Sequence, residues 1–244
     1  MRADPGSRWS VARPGAKPRR RGWGLARRVL LVLFLVTLLP VVVYRFVPPP
    51  VTPLMLIRAV VDRASIRKTW VPLSRISPAL VRAVVASEDE KFCVHHGFDW
   101  VQMREAWHQF LVGHRRPRGA STISMQTAKN VFLWPGRSLL RKGIEAYFTV
   151  LIEALWGKPR IMEIYLNVIE WGRGIYGAEA ASRAYFGHAA ASLSPREAAV
   201  LAAVLPNPRV LSAAAPSGYV EGRAATIRAR MPFMVVPVPR GCPS

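Results

Sequence analysis

The sequence predicts an all-α domain that follows one N-terminal transmembrane helix, and three observations support that prediction. Beyond residue 77 the apolar residues recur mostly at the three- and four-residue spacing of helices. Strict alternation of apolar and polar residues, the pattern of half-buried strands, is scarce. Near the N-terminus, Val29 to Val43 read VLLVLFLVTLLPVVV, an apolar run close to the lower length limit for a spanning helix.

The apolar run divides the chain into parts with different expected locations. We predict a basic cytoplasmic tail at 1–28, a transmembrane helix at 29–47 and a proline-containing linker at 48–64. The tail holds nine basic residues and one acidic residue, so the positive-inside rule places the N-terminus in the cytoplasm and the rest of the chain outside. A cleaved signal peptide is the alternative, but the run is long for one and no A-x-A site follows it.

The chain is strongly basic throughout. Its formal net charge of +21 falls only to +13 when the 1–28 tail is left out, which predicts an anionic partner such as nucleic acid, an acidic membrane surface or a phosphorylated substrate. The two distant cysteines do not indicate a disulfide framework, and we interpret Cys93 as a small buried hydrophobic residue. The His95–His96 pair lacks partner ligands at metal-site spacing, so we exclude a zinc site there.

Capping residues and apolar stripes define the expected helices after the anchor. Before the first of them, residues 65–73 are a weak candidate for a short strand or an extended segment. We expect Trp107 and Leu140 on the inner faces of their helices, at helical spacing from other apolar residues. The predicted helix starts are Ser77-Pro78, Asp99, Ser138, Pro159 and the Ser194 to Glu197 capping box.

A carboxylate pair ends the first of these helices. Glu88 continues the apolar stripe of Val81 and Val84, so we expect it to project from the buried face. Asp89 points about 100° away and is expected to brace the following loop. Desolvation of Glu88 would raise its pKa toward the range of a general base or acid, whereas the ordinary alternative is a surface ion pair at a helix end.

A basic stretch and a second carboxylate follow. The loop from His114 to Thr122 leads into a helix that Ser121 could cap. Free backbone N–H groups beside arginines would form an anion site there, and the alternative is a solvated basic loop. Arg141 and Glu145 share a helix face, either as a surface ion pair or as a carboxylate that holds a divalent cation or orients an arginine.

Five ordered motifs resemble those of the glycosyltransferase family 51 peptidoglycan polymerases, especially their monofunctional members. The match covers roughly residues 65 to 208, and Met125 stands where many members have a second glutamine. The motifs are E-D-x-x-F-x-x-H-x-G-x-D from Glu88, G-A-S-T-I-S-x-Q-x-x-K-N from Gly119, R-K-x-x-E from Arg141, I-x-E-x-Y-L-N from Ile161 with G-x-G-x-x-G from Gly172, and L-S-x-x-E-A-A-x-L-A-A from Leu193.

The resemblance implies a role for each matching residue. Glu88 and Glu145 would be catalytic, with Glu88 as the base and Glu145 holding Mg²⁺ or Mn²⁺ or orienting basic side chains. The residues expected to bind the substrate pyrophosphate are Ser121, Lys129, Arg137 and Arg141. The residues expected to support the site are Asp89, Phe92, His95, Gly97, Thr122, Gln126 and Asn130.

The resemblance also implies a lysozyme-like glycosyltransferase domain at 65–231, followed by a tail at 232–244. Its substrates would be lipid II and the growing glycan chain, polymerised with inversion and release of undecaprenyl pyrophosphate. The enzyme would be a single-pass protein of the bacterial inner membrane with a periplasmic catalytic domain, and other cell-wall synthases are candidate partners.

Two other functions remain as alternatives. A membrane-anchored lysozyme-like hydrolase or lytic transglycosylase would share the fold and a catalytic glutamate, but neutral glycan cleavage has no use for a pyrophosphate site. A basic module that binds anionic lipid or nucleic acid would need no catalytic carboxylate, and the predicted topology puts the domain on the wrong side for nucleic acid.

Overall fold

A computed structural model of the chain describes residues 21–113, 121–136, 138–238 and 241–243. The basic tail before residue 21, most of the loop from His114 and the predicted phosphate ligand Arg137 therefore lie outside the described residues. The chain divides into two compact units, with the boundary between Leu39 and Pro40.

The first helix contains the expected anchor. It runs from Arg21 to Phe46, and its Arg27–Phe46 stretch is long and apolar enough to cross a membrane. Pro40 lies inside it, which is tolerated in membrane helices because neighbouring groups satisfy the freed carbonyl. The apolar side chains of the first unit are mostly exposed, which leaves them available to lipid.

The rest of the described chain is mainly helical, so the all-α prediction is confirmed. In chain order the helices after α1 (Arg21–Phe46) are α2 (Pro53–Asp62), α3 (Pro78–Glu88), α4 (Trp100–Leu111), α5 (Ile123–Phe132), α6 (Leu139–Leu155), α7 (Lys158–Val168), α8 (Ala178–Phe186), α9 (Pro195–Val204) and α10 (Gly218–Arg230). The strands are β1 (Arg67–Lys68), β2 (Glu170–Gly172) and β3 (Ile175–Tyr176), in the order β1-β3-β2.

Two groups of helices enclose the core and meet at the site described below. The buried helix α3 packs against α9 and α10, while α5 packs against α6 and α7. The predicted caps are present, since Ser77 caps α3 and Ser194 forms a reciprocal capping box with Glu197 at the start of α9. These caps satisfy backbone N–H groups that would otherwise lack partners at the helix starts.

The I-x-E-x-Y-L-N and G-x-G-x-x-G motifs contact the segment from Ser65 to Val71, which contains β1. Asn167 on α7 binds both the N–H and the C=O of Val71, at 3.0 and 2.9 Å. Gly174 has φ +74° and an added Cβ would lie 2.5 Å from the Ser65 carbonyl oxygen, so only glycine fits where β1 passes the β2–β3 turn. The expectation of a short strand within 65–73 is thus confirmed by β1.

Three expectations from the sequence, in different parts of the chain, differ from the structure. The 48–64 segment is not only a linker, because it contains α2 with buried Leu54 and Met55. Trp107 and Leu140 are 63% and 73% exposed rather than inward-facing. Helical spacing identifies an apolar stripe but does not say whether a second layer of protein covers it.

The two cysteines form a disulfide, so the interpretation of Cys93 as an unpaired buried residue was wrong. Cys93 lies in the loop after α3, and Cys242 joins it from 149 residues further along the chain. The bond ties the C-terminal segment to the loop that begins at the Glu88–Asp89 pair. A bond between residues 149 apart produces no periodic pattern, so the two cysteines alone did not predict the disulfide.

Candidate active site

Glu88 lies where the two helix groups meet. It is the last residue of α3, and its side chain is partly buried. The Gln126 side chain on α5 donates a hydrogen bond from Nε2 to Glu88 Oε2 at 2.9 Å. The amide of Gln126 is oriented in turn by the Tyr165 hydroxyl, which donates to its Oε1 at 3.3 Å. Glu88 is therefore fixed by a neutral donor.

Burial and the neighbouring positive charges act in opposite directions on the pKa of Glu88. Burial raises the pKa of Glu88 above its ordinary value, while the hydrogen bond from Gln126 and the charges of Arg223 and Lys129 oppose that rise. Within the described parts of the chain, no cation lies within ion-pairing distance of this carboxylate. A partly desolvated, unpaired carboxylate has the properties that a general base requires.

Asp89 braces the loop after α3, as predicted. Its carboxylate binds His95 Nε2 at 2.9 and 3.0 Å and accepts the N–H of Ile123, at the start of α5, at 2.9 Å. The Gly97 N–H donates to His95 Nδ1 at 3.1 Å, so Nε2 carries the ring proton and donates a hydrogen bond to Asp89. This network connects the end of α3 to the start of α5.

Gly97 and Thr122 complete the connection. Gly97 has φ +92°, and an added Cβ would lie 2.9 Å from Thr149 Cγ2 on α6. The Thr122 hydroxyl donates to the Gly97 carbonyl at 2.7 Å and also accepts the Met125 N–H, so Thr122 caps α5. The expectation that Ser121 caps this helix was wrong, because Ser121 lies one residue before the cap.

Two further residues of the predicted set, Phe92 and Asn130, pack or bind within the elements that carry the site. Phe92 is fully buried, and the Lys158 ammonium lies 4.6 Å from its ring centroid. Asn130 is buried and donates from Nδ2 to the Gln126 carbonyl at 2.8 Å. Both contribute to the site through packing of α5 and the loop.

Glu145 has surroundings opposite to those of Glu88. It is 2% exposed, and its Oε2 accepts from Arg141 Nη1 at 2.7 Å while its Oε1 accepts from Lys142 Nζ. The Arg141–Glu145 pair is thus buried rather than on the surface. Lys142 Nζ also donates to Ser121 Oγ at 3.2 Å, which links the start of α6 to the residue before the Thr122 cap of α5.

The charge of Lys129 interacts with both carboxylates, Glu88 and Glu145. Burial lowers the pKa of Lys129, and the charge of Glu145 opposes that decrease. The positive charges of Arg141, Arg58 and Lys142 add to the decrease. Its charge also acts on Glu88. Lys129, Arg141 and Lys142 therefore form a cation cluster, anchored by one carboxylate, that has the charge to receive a phosphorylated group.

Sequence reasoning missed two cations of the site. Lys142 was present in the R-K-x-x-E motif, and its three-residue spacing from Glu145 was a usable signal. Arg223 on α10 is far from every motif, and no local pattern connects it to Glu88.

The residues around Glu145 do not fit a resident divalent cation. Both oxygens of its carboxylate already bind cationic side chains, and a third cation is close by. Among the described residues, no group of three or more His, Cys, Asp or Glu side chains could hold a metal ion. Since hard divalent cations take several oxygen ligands, Glu145 alone is an insufficient site.

Comparison with known proteins agrees with the motifs. The family model described as transglycosylase matches residues 56–232. A protein named biosynthetic peptidoglycan transglycosylase from Rhodospirillum centenum is 58% identical over 210 residues, which cover 85% of this chain and 90% of that protein. Proteins with the same name from Caulobacter vibrioides and Bdellovibrio bacteriovorus are 55% and 51% identical over 83% and 84% of this chain, covering 90% and 83% of their own length.

The matched region contains α3, α5 and α6, the helices that carry the site, together with the packing partners of α3. Its architecture is the lysozyme-like helical fold of the transglycosylase domain. On the family match and on relatives of this similarity, the chain belongs to the transglycosylase family.

Proposed function

We propose that this chain is a peptidoglycan glycosyltransferase that polymerises lipid II into glycan strands and releases undecaprenyl pyrophosphate. The observation that carries the proposal is a partly buried carboxylate that has no ion-pair partner among the described residues and lies near a cation cluster. Glu88 supplies the base and Lys129, Arg141 and Lys142 supply the positive charge. The names of the relatives support the same activity.

In the proposed reaction Glu88 accepts the proton of the acceptor sugar's 4-hydroxyl. That oxygen attacks the anomeric carbon of the lipid-linked chain from the face opposite the phosphate. The new C–O bond forms as the bond from the anomeric carbon to the phosphate oxygen breaks, so the configuration inverts. The proton ends on Glu88 and the electron pair leaves with the polyprenyl diphosphate. A raised pKa makes the Glu88 carboxylate basic enough for this step.

The leaving diphosphate gains negative charge as its bond to carbon breaks. The cations of Lys129, Arg141 and Lys142 stabilise that charge, and side chains held in place before the reaction do so most effectively. Glu145 holds Arg141 and Lys142 in fixed positions through its two oxygens. Ser121 adds a hydroxyl beside Lys142, and Arg137 remains a predicted member of the set. A divalent cation would enter only with the diphosphate oxygens as its main ligands.

A peptidoglycan hydrolase or lytic transglycosylase is less consistent with this geometry. Such enzymes must protonate a neutral glycosidic oxygen, and the sugar that departs carries no phosphate. A cluster of three cations would then stabilise nothing and would stay partly desolvated at a cost.

Three observations support an inner-membrane enzyme with an external catalytic domain. The Arg27–Phe46 stretch is long enough to span, and the residues before it are basic. The Cys93–Cys242 disulfide requires an oxidising compartment such as the periplasm. Exposed Trp100, Val101 and Trp107 give α4 an apolar surface that would face lipid. Contacts with other cell-wall synthases remain a prediction.

Incubation of the full-length protein with lipid II in detergent micelles tests the function. We expect glycan polymer that lysozyme digests, together with release of undecaprenyl pyrophosphate. A parallel incubation with purified sacculi tests the alternative, and soluble muropeptides from sacculi without any polymer from lipid II would contradict the proposal.

A further inference from the structure

A cavity of about 410 Å³ lies between one face of α10 and the last turn of α3, the turn that ends at Glu88. Ser87 lines it from α3, and Tyr219, Arg223 and Arg230 line it from α10. The cavity therefore begins one residue before the proposed base. It lies on the side of α3 that packs against α10, whereas the cluster of Lys129, Arg141 and Lys142 is carried by α5 and α6.

The cavity is lined by a positive charge that has no ion-pair partner in the described part of the chain. Arg230 pairs with Glu90, but Arg223 has no ion-pair partner among the described residues. The Nε of Arg223 is shut off from solvent and has no hydrogen-bond partner in the described part of the chain. A buried donor without a partner costs free energy. The guanidinium that carries it lines the cavity, where an anionic oxygen of a ligand would pair with its charge.

Two glycines keep the cavity open. Gly218 and Gly222 lie one turn apart on α10 and both line the cavity. An added Cβ at either position would meet no atom within 4 Å, so packing of the protein does not require glycine there. Glycine inside a helix is less favourable than alanine, and Gly222 lies in the helix interior. Gly222 therefore leaves open space along this wall of the cavity, into which a larger side chain would project.

Tyr219 and Thr226 complete a surface that suits a substituted sugar. Tyr219 is exposed at the cavity mouth, where an aromatic ring offers a flat apolar surface and a hydroxyl. The planar guanidinium of Arg223 matches a carboxylate, which it binds through two parallel hydrogen bonds.

We propose that this cavity binds a carboxylate of the peptide stem carried by a peptidoglycan unit that is bound at Glu88. The proposal rests on the proposed function, because it requires a glycan substrate at Glu88. Peptide stems contain free carboxylates, and the diphosphate of the substrate has its own cations on α5 and α6. Arg223 is the residue that selects the carboxylate, and Gly222 provides the room for it.

The test compares two substrates in the polymerisation assay with the full-length protein. One is lipid II with its native pentapeptide, and the other is lipid II whose peptide carboxylates are amidated. We expect Gly222→Leu to lower kcat/KM roughly tenfold for the native substrate, mainly through KM, because a charge-assisted hydrogen bond is lost. The same variant should stay within about twofold of wild type on the amidated substrate.

Ala225→Leu is the matched control. It adds a similar side chain at an exposed position of the same helix, outside this cavity, and should not distinguish the substrates. Arg223→Gln should show the same selectivity as Gly222→Leu and also a lower kcat on both substrates, because its charge acts on Glu88.

The outcomes separate the proposal from the proposed function. Wild-type protein that polymerises both substrates equally well, with Gly222→Leu equally impaired on both, would overturn the carboxylate site while leaving the polymerase function intact. Equal impairment would instead indicate that the cavity holds the glycan or the diphosphate. Wild-type protein that polymerises neither substrate would refute the proposed function itself.

Discussion

Glu88 and Glu145 are two shielded carboxylates in neighbouring parts of one site, and they have different hydrogen-bond and charge partners. Glu88 ends a helix, accepts one hydrogen bond from a neutral amide and has a raised pKa. Glu145 lies within a helix and accepts from an arginine and a lysine of that same helix. The charge partners of a carboxylate, rather than its burial alone, decide whether it is fit to move a proton or to hold cations.

The two carboxylates are also held in different ways. Glu145 is held by residues three and four places before it, so both of its ion-pair partners come from its own helix. Glu88 depends on a loop that is fixed by the Asp89–His95 pair, by the Ile123 N–H and by the Cys93–Cys242 bond. The proposed base, Glu88, therefore relies on contacts between distant segments, whereas the ion pairs of Glu145 are local.

Replacing the proposed base should have the largest effect on activity. We expect Glu88→Gln to lower polymerisation by about 10³-fold, within the range for loss of a general base. Burial raises the pKa of Glu88 above its unfolded value, so the stability that it provides is present below the unfolded pKa and is lost as pH rises through the folded pKa. At neutral pH the variant should therefore melt no lower than wild type. Retained activity in a folded variant would contradict the role.

Replacing Glu145, the carboxylate that holds Arg141 and Lys142, should affect both stability and activity. Glu145→Gln leaves Arg141 without its charge partner in a buried position, which should cost about 3 kcal/mol of unfolding free energy. Polymerisation should fall by about 10²-fold because the cations lose their positions. Denaturant unfolding and the lipid II assay measure the two effects, and a variant as stable as wild type would show that the pair is not structural.

Removing a single cation should have a smaller effect. We expect Lys129→Ala to lower kcat/KM roughly tenfold through the diphosphate, with little loss of stability, because burial already disfavours its charge. Arg137→Ala should act in the same direction. Parallel losses of melting temperature and kcat/KM in Lys129→Ala would indicate a structural role instead.

Breaking the disulfide should disturb the Glu88 region more than the Glu145 region. Reduction opens a link between residues 149 apart, for which the chain-entropy relation gives at most about 5 kcal/mol of stability. Below the melting temperature we expect activity to fall only about threefold, since Asp89 and Ile123 still hold the loop. The Cys93→Ser/Cys242→Ser double variant is the control and should not respond to dithiothreitol. An unchanged melting temperature on reduction of the wild type would contradict the link.

Much of the site could be predicted because its signals are local. Helical phase predicted that Glu88 projects from the buried face, and the capping residues Ser77 and Ser194 predicted two helix starts. The disulfide and the approach of Arg223 to Glu88 depend on segments far apart in the chain, which periodicity does not encode. The outward positions of Trp107 and Leu140 depend on which helix faces are left uncovered by other segments. A stripe of apolar residues looks the same in the sequence whether that face is covered or exposed.

The pH dependence of polymerisation tests the central claim most directly. If Glu88 acts as an unpaired base, kcat/KM should fall with acid along a limb whose midpoint lies above the ordinary carboxylate value of 4.5, because burial raises the pKa of Glu88. Glu145→Gln should keep the same limb at a lower overall rate. A limb at or below 4.5, or one that moves when Glu145 is replaced, would contradict the assignment of Glu88 as the base.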